Sequence, residues 1–293
     1  MQRFPRALAA AALVLNALLY GVSWWPFRAL QAYGLHPLWA TAIIYAISVL
    51  FLLLLRPRAW RGFLKHPELW FLVLASGLTN VGFNWAITVG DVVRVVLLFY
   101  LMPAWVVLLA WPLLGERPTA GSLARLVLAL AGVVIVLKTP QSPWPVPESL
   151  ADGLALMGGF CFALTNIFLR KFKHTPSASR MLCMFGGGAV MASAVAALGM
   201  ALGIVTAPPA PALGWAGLAL FISFAFLAGN LALQYGAAHL SASATSLIML
   251  SEVIFASVSS VLVGAGELSL RTLLGGSLIL LASLLSVWTF GKR

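Results

Sequence analysis

Asn80-Val81-Gly82-Phe83-Asn84-Trp85 and Asn230-Leu231-Ala232-Leu233-Gln234-Tyr235 are the two stretches whose reading decides the fold. Each sets two primary amides four residues apart in an otherwise apolar run, and that spacing places both on one face of a helix. An aromatic residue follows at the same offset in each copy, which points to an internal duplication. Amides facing lipid are costly, so each pair is expected to look into a protein interior or a water-filled cavity.

With 62% hydrophobic and 9% charged residues and a mean hydropathy of +1.01, the chain is too apolar for a soluble globular domain of this length. A membrane span takes about 20 predominantly apolar residues. The sequence divides into ten such runs, at about 7–32, 37–55, 68–89, 92–114, 122–137, 150–169, 178–205, 214–235, 241–263 and 270–290. Arg3 and Arg6 ahead of an alanine- and leucine-rich run mimic a signal peptide, but the run continues through Trp24, Trp25 and Phe27 and has a partner in the second half. It is expected to remain as the first transmembrane helix. The proline-rich segment 139–149 is the expected linker between a first unit at 1–138 and a second at 150–293.

The formal charge of +11 lies in short clusters between apolar runs rather than along one face, so the basic residues read as topology determinants and not as a nucleic-acid footprint. With a cytoplasmic N-terminus, fourteen of the eighteen basic residues fall on the cytoplasmic side, leaving Arg28, Arg94, Lys138 and Arg271 outside. Both termini are therefore expected in the cytoplasm. Five spans per half make the second half enter in the opposite sense, so the expected fold is an all-α membrane protein of ten transmembrane helices in two five-helix inverted repeats. Further columns agree: Tyr20-Gly21-x-Ser23-Trp24 with Arg28 lies against Phe162-Ala163-x-Thr165-Asn166 with Arg170, and Gly115-Glu116 against Gly266-Glu267.

Taken together, these residues make the chain resemble the drug/metabolite transporter superfamily, in its EamA-type ten-helix branch, over nearly its whole length. The run Leu98-Phe99-Tyr100-Leu101-Met102-Pro103-Ala104-Trp105 is most similar to that of the YddG-type aromatic amino acid exporters. The family pattern also implies a proline in helix 9, commonly after a glutamate. Here Ser251-Glu252-Val253 keeps the acid and lacks the proline, which leaves a kink in helix 9 in doubt.

Glu252 falls at the middle of the run 241–263, where a carboxylate is costly unless neutral or paired. It is read as a possible proton-coupling residue, the competing reading being a protonated glutamate bonded to a neighbouring helix. Asn80, Asn84, Asn230 and Gln234 are expected to line a substrate pathway near the midplane, against the alternative of hydrogen-bonded glue between helices. Tyr20, Trp24, Tyr100 and Phe162, with Asn16 and Asn166, join them as deep residues able to stack on or bond to a substrate; core packing is the competing account. Pro103 is the expected hinge. Trp39, Trp60, Trp70, Trp111, Trp144, Trp215 and Trp288 read as interfacial anchors.

No Walker motif, zinc-ligand spacing or hydrolase constellation occurs, and His36, His66, His174 and His239 have no partner at ligand spacing. No metal, cofactor or catalytic residue is expected, and two cysteines in apolar runs imply no disulfide framework. The expected function is a secondary transporter of the bacterial cytoplasmic membrane, exporting amino acids, aromatic and other neutral ones, or related small metabolites by alternating access. Its partners are the small-molecule substrate and the lipid bilayer, with no nucleic acid and no required oligomer. The alternatives are a multidrug or organic-cation exporter of the same superfamily and, from another class, an integral membrane enzyme or scramblase, for which the scattered acids supply no catalytic cluster.

Overall fold

The computed structural model describes residues 3–115, 117, 119–137, 147–239, 248–249, 251–265 and 269–290. Among these, every regular element is a helix: α1 (Arg3–Gly21), α2 (Trp24–Ala32), α3 (Pro37–Leu55), α4 (Ala59–Lys65), α5 (Leu69–Val89), α6 (Val92–Phe99), α7 (Met102–Leu114), α8 (Ala120–Leu137), α9 (Leu150–Lys171), α10 (Ser177–Ala201), α11 (Leu213–His239), α12 (Ser251–Leu262) and α13 (Leu270–Phe290). Seven segments among the described residues are long and apolar enough to cross a membrane, and three shorter apolar helices accompany them. Large apolar side chains such as Leu54, Leu55 and Phe221 stand on the outside, while Asn16, Ser48, Thr165 and Ser223 are buried. Polar groups inside and an apolar exterior are what a bilayer demands of a polytopic chain.

Two expected spans are broken rather than straight. The first is one continuous apolar segment, Ala7–Ala32, but turns at Val22 and Ser23 between α1 and α2. The fourth, Val92–Leu114, breaks at Tyr100 and Leu101 between α6 and α7. Pro103 is the second residue of α7, just beyond that break. Having no N–H, it cannot return the usual helical bond to the Phe99 carbonyl, and the Ala104 N–H turns to Leu101 at 2.9 Å instead. A second departure from the sequence reading is α4, a short helix in the stretch expected to be a basic loop. The linker residues 138–146 and residues 241–247 and 250 of the expected ninth span lie outside the described residues, so the kink left in doubt there is not addressed by the structure.

The helices meet through small residues. A side chain on Gly187 of α10 would come within 2.3 Å of the Val73 carbonyl of α5, and one on Gly77 of α5 within 2.5 Å of the Gly187 carbonyl. Gly82 of α5 and Gly158 of α9 approach in the same way, as do Gly132 of α8 and Gly275 of α13, where each added Cβ would lie 2.6 Å from the other's carbonyl oxygen. In lipid, close backbone approach of this kind replaces the hydrophobic driving force. Other packed pairs include α1 with α11 and α12, α3 with α10 and α11, α6 and α7 with α9, and α6 with α12.

One end of this bundle is clamped by charge. Arg94 of α6 grips Asp152 of α9 with two parallel bonds, Nε to Oδ1 at 2.7 Å and Nη2 to Oδ2 at 2.9 Å, and donates a third from Nη1 to the Val136 carbonyl of α8 at 2.7 Å. The bidentate fork fixes three helices at one point. Two helix starts lie at the clamp: Asp91 caps α6 by accepting from the Arg94 N–H at 2.7 Å, and Ser149 caps α9, its Oγ accepting from the Asp152 N–H at 3.0 Å. Beside it, Arg28 of α2 donates to the Ile87 carbonyl at 3.2 Å and to that of Gly90. Arg28 and Arg94, the basic residues that break the charge asymmetry, are thus tied into the protein.

Two outcomes follow for stability. Gly187→Val should lower the thermal midpoint of the purified protein sharply, by about 1–3 kcal/mol of overpacking, whereas Gly186→Ala, with open space at its Cβ, should leave it unchanged or raise it. Asp152→Ala should cost about 3–5 kcal/mol by leaving the half-buried Arg94 uncompensated, and Arg94→Leu with Asp152→Leu should recover much of that loss.

Candidate functional site

The breaks in α1–α2 and α6–α7 converge on α12. Gly21, the last residue of α1, lies so close to α12 that a Cβ there would fall 2.8 Å from the Glu252 carbonyl and 2.9 Å from the Phe255 Cβ. That contact brings Tyr20, Gly21 and Trp24 into one recess with Phe83 and Ile87 of α5, Val92 and Val96 of α6, and Glu252 and Ala256 of α12. In the state described the recess is closed, with no room for a water molecule.

Glu252 stands in the first turn of α12 and is half-buried. Tyr100, the residue at which the fourth span breaks, donates its hydroxyl to Glu252 Oε2 at 3.1 Å. The break therefore delivers a phenol to the acid across two chain halves. Trp24 Nε1 donates to Ser259 Oγ, two turns along α12, at 2.9 Å, and the Arg28 guanidinium lies 5.5 Å over the Trp24 ring.

Aromatic rings run outward from this point in two directions. Tyr20 stacks on Phe226 of α11 at 4.7 Å, and Phe226 meets Tyr45 of α3 edge-on at 5.8 Å. Tyr45 in turn donates to Asn80 Oδ1 at 2.6 Å. On the other side Phe99 packs on Phe83 at 4.6 Å and stacks on Phe162 of α9 at 5.3 Å. Asn166, one turn beyond Phe162, is exposed and donates to the Phe162 carbonyl at 2.8 Å and to Met102 Sδ at 3.4 Å.

Of the residues singled out by sequence, Tyr20, Trp24, Tyr100 and Glu252 are gathered at one place; Phe162 reaches it through Phe99, and Asn80 through Tyr45 and Phe226. The two amide pairs are not brought together. Asn80 and Asn84 engage α3, through Tyr45 and through a 3.2 Å bond from Asn84 Nδ2 to Thr41 Oγ1. On α11, Gln234 donates to Asn230 Oδ1 at 2.8 Å, and Asn16 of α1 donates to the Gly229 carbonyl at 2.7 Å. None of the hydrogen bonds among the described residues joins one pair to the other.

Sequence reasoning missed Tyr45, Thr41, Phe226 and Ser259. Tyr45 and Thr41 were legible as polar residues four apart in an apolar run, the same signal that marked the amides. Phe226 and Ser259 carried none. The tryptophans divide: Trp60, Trp70 and Trp111 are exposed as anchors should be, whereas Trp215 is buried, donating to the Ala210 carbonyl at 3.0 Å. Trp105 Nε1 is buried and has no hydrogen-bond partner among the described residues. His66 and His174, unpartnered by spacing, both meet Glu68 in space.

The comparisons with known proteins agree with this architecture. A solved crystal structure superposes with a TM-score of 0.60 over 96% of each chain at 16% identity, which speaks to the fold alone. No curated protein sequence matches the chain. The EamA-like transporter family matches residues 7–138 and again 149–288, nearly the whole length in two successive copies. The chain is a multi-pass membrane protein and belongs to the EamA-like transporter family, within the drug/metabolite transporter superfamily.

Proposed function

We propose that this transporter exports aromatic and other neutral amino acids, or related small metabolites, across the bacterial cytoplasmic membrane by alternating access, with the aromatic recess around Glu252 as its pathway. The carrying observation is the junction itself: two helix breaks, one acid and one phenol meet at the contact between the halves. Discontinuous helices at the midplane are where secondary carriers bind substrate. Stacked rings suit a flat or apolar side chain.

The packing supports the ten-span inverted repeat. Numbering the apolar runs one to ten, the contact of run three with six (α5 with α9) has its mirror in eight with one (α11 with α1). Four with six (α6 and α7 with α9) is mirrored by nine with one (α12 with α1), and three with seven (α5 with α10) by eight with two (α11 with α3). Runs two with seven, four with nine and five with ten are their own mirrors, as α3 with α10, α6 with α12 and α8 with α13. An inverted duplication generates this pattern without further assumption. In this reading both termini are cytoplasmic, and Pro103, beside the break at Tyr100 and Leu101, is a hinge of the rocking motion. The amides take part as walls: Asn80 of α5 holds Tyr45, and Asn230 and Gln234, bonded to each other, stand on α11 beside the bond from Asn16 to the Gly229 carbonyl.

The second reading, export of organic cations, is favoured by one feature: a carboxylate set among Tyr20, Trp24 and Tyr100 is the chemistry that binds a cation. Counterflow in proteoliposomes separates the two. A labelled panel of amino acids should exchange, aromatic ones fastest; exchange with none, together with uptake of toxic organic cations, would replace the first reading by the second.

Glu252→Gln should leave the fold intact and remove the pH dependence of exchange, and full-rate transport with an unchanged pH profile would rule out proton coupling through this acid. Tyr100→Phe removes a single membrane hydrogen bond, on average about 0.6 kcal/mol, so a large loss of transport in that variant with a nearly unchanged melting point would place the phenol in the transport cycle.

A further inference from the structure

Glu68 is the cap residue at the start of α5, and His66 is two residues before it in the turn that ends α4. His174 belongs to the turn that follows α9. The chain brings the two imidazoles onto one carboxylate oxygen: His66 Nδ1 is 3.1 Å and His174 Nε2 3.3 Å from Glu68 Oε1. The rings meet edge-on with centroids 5.9 Å apart. Among the described residues this is a group of three His, Cys, Asp or Glu side chains whose ligand atoms all lie within 4.8 Å of one another. His66 and Glu68 are half-buried and His174 is exposed, so the cluster is open to solvent on one side.

The distances are those of a coordination shell. Ligands at about 2.0–2.1 Å from a tetrahedral ion are separated by roughly 3.3 Å, which is the separation found for both imidazole–carboxylate pairs. Two imidazoles and one carboxylate, with a fourth position facing water, form the donor set that borderline divalent ions take. Calcium and magnesium require more oxygen ligands than one carboxylate gives. Lys65 and Lys173 adjoin the histidines in sequence, and their charge opposes a cation, so binding depends on the geometry of the three ligands.

We propose that His66, Glu68 and His174 form a binding site for one divalent ion of the zinc class, tying the start of α5 to the end of α9. The site lies on the face that the proposed orientation puts in the cytoplasm, but its existence does not depend on that orientation or on the substrate.

Tag-free protein in detergent, stripped with chelator and titrated with Co²⁺, should develop the intense visible absorption of a tetrahedral nitrogen and oxygen site at one ion per chain, and Zn²⁺ should displace it. His66→Ala, His174→Ala and Glu68→Gln should each weaken Zn²⁺ binding by more than roughly a hundredfold, beyond the loss that a merely orienting residue causes. His239→Ala should bind as the parent does. Zn²⁺ should also raise the melting temperature of the parent and of His239→Ala, and not that of the folded His66→Ala/His174→Ala double variant. Absence of the Co²⁺ spectrum in the parent, or a spectrum and affinity unchanged in the double variant, would overturn the assignment.

Discussion

Within a bilayer there is no water to satisfy a polar group, and the structure is organised by that constraint. Each polar side chain on an apolar helix must find a partner in the protein, so the position of its partner fixes how the helices pack. Asn84 finds Thr41, Asn80 finds Tyr45, Asn16 finds the Gly229 carbonyl and Trp24 finds Ser259. Each bond contributes only on the order of half a kcal/mol. Their collective effect is on register: a helix displaced by one residue would leave several buried donors unmet, at about 1–3 kcal/mol each. At the contact of α1 with α11 a glycine leaves room for such a bond: a Cβ on Gly229 would lie 3.3 Å from Asn16 Nδ2.

Against this background Glu252 stands apart. The pairs just named join neutral groups, whereas Glu252 is an ionisable acid, and its partner is a phenol delivered by an interrupted helix. Holding a carboxylate at such a place costs several times what its hydrogen bond returns. A fold keeps that kind of residue where it acts, and the acid's neighbours are the ends of broken helices, the parts of the bundle best able to move. The Arg94–Asp152 clamp, set on α6 between the recess residues Val92 and Val96, holds α6, α8 and α9 together. One rigid end and one interrupted centre are the mechanical elements a rocking carrier needs.

Much of the helical architecture was legible in advance, because hydropathy is a strong signal over twenty-residue windows. The span bounds at Pro37–Leu55 and Leu270–Phe290 follow from composition alone. Pro103 marked the neighbourhood of the fourth-span break, although the chain turns at Tyr100 and Leu101, because a missing N–H is felt four residues earlier, at the Phe99 carbonyl. The break at Val22 and Ser23 carries the same mark, Pro26 standing four residues beyond Val22, but the run was read as one continuous span, and α4 is too short for periodicity to reveal. The amide spacing put two residues on one helix face without saying which neighbour that face meets; α5 turns its amides to α3, and only the packing of glycines decides that. Pairings across the chain, such as His66 and His174 on Glu68, are invisible to any local window.

The claim at the centre of this account is that the closed recess around Glu252 opens to each side of the membrane in turn. Ala256 lines it and is 2% exposed in the closed state. In a variant with Cys161 and Cys183 replaced by serine and Ala256 replaced by cysteine, the decisive measurement is labelling by a membrane-impermeant thiol reagent, applied from one side or the other during transport. The account predicts slow reaction from both sides, retarded by bound substrate. A cysteine at 256 that stays unreactive from both sides while the protein transports at its normal rate would contradict it.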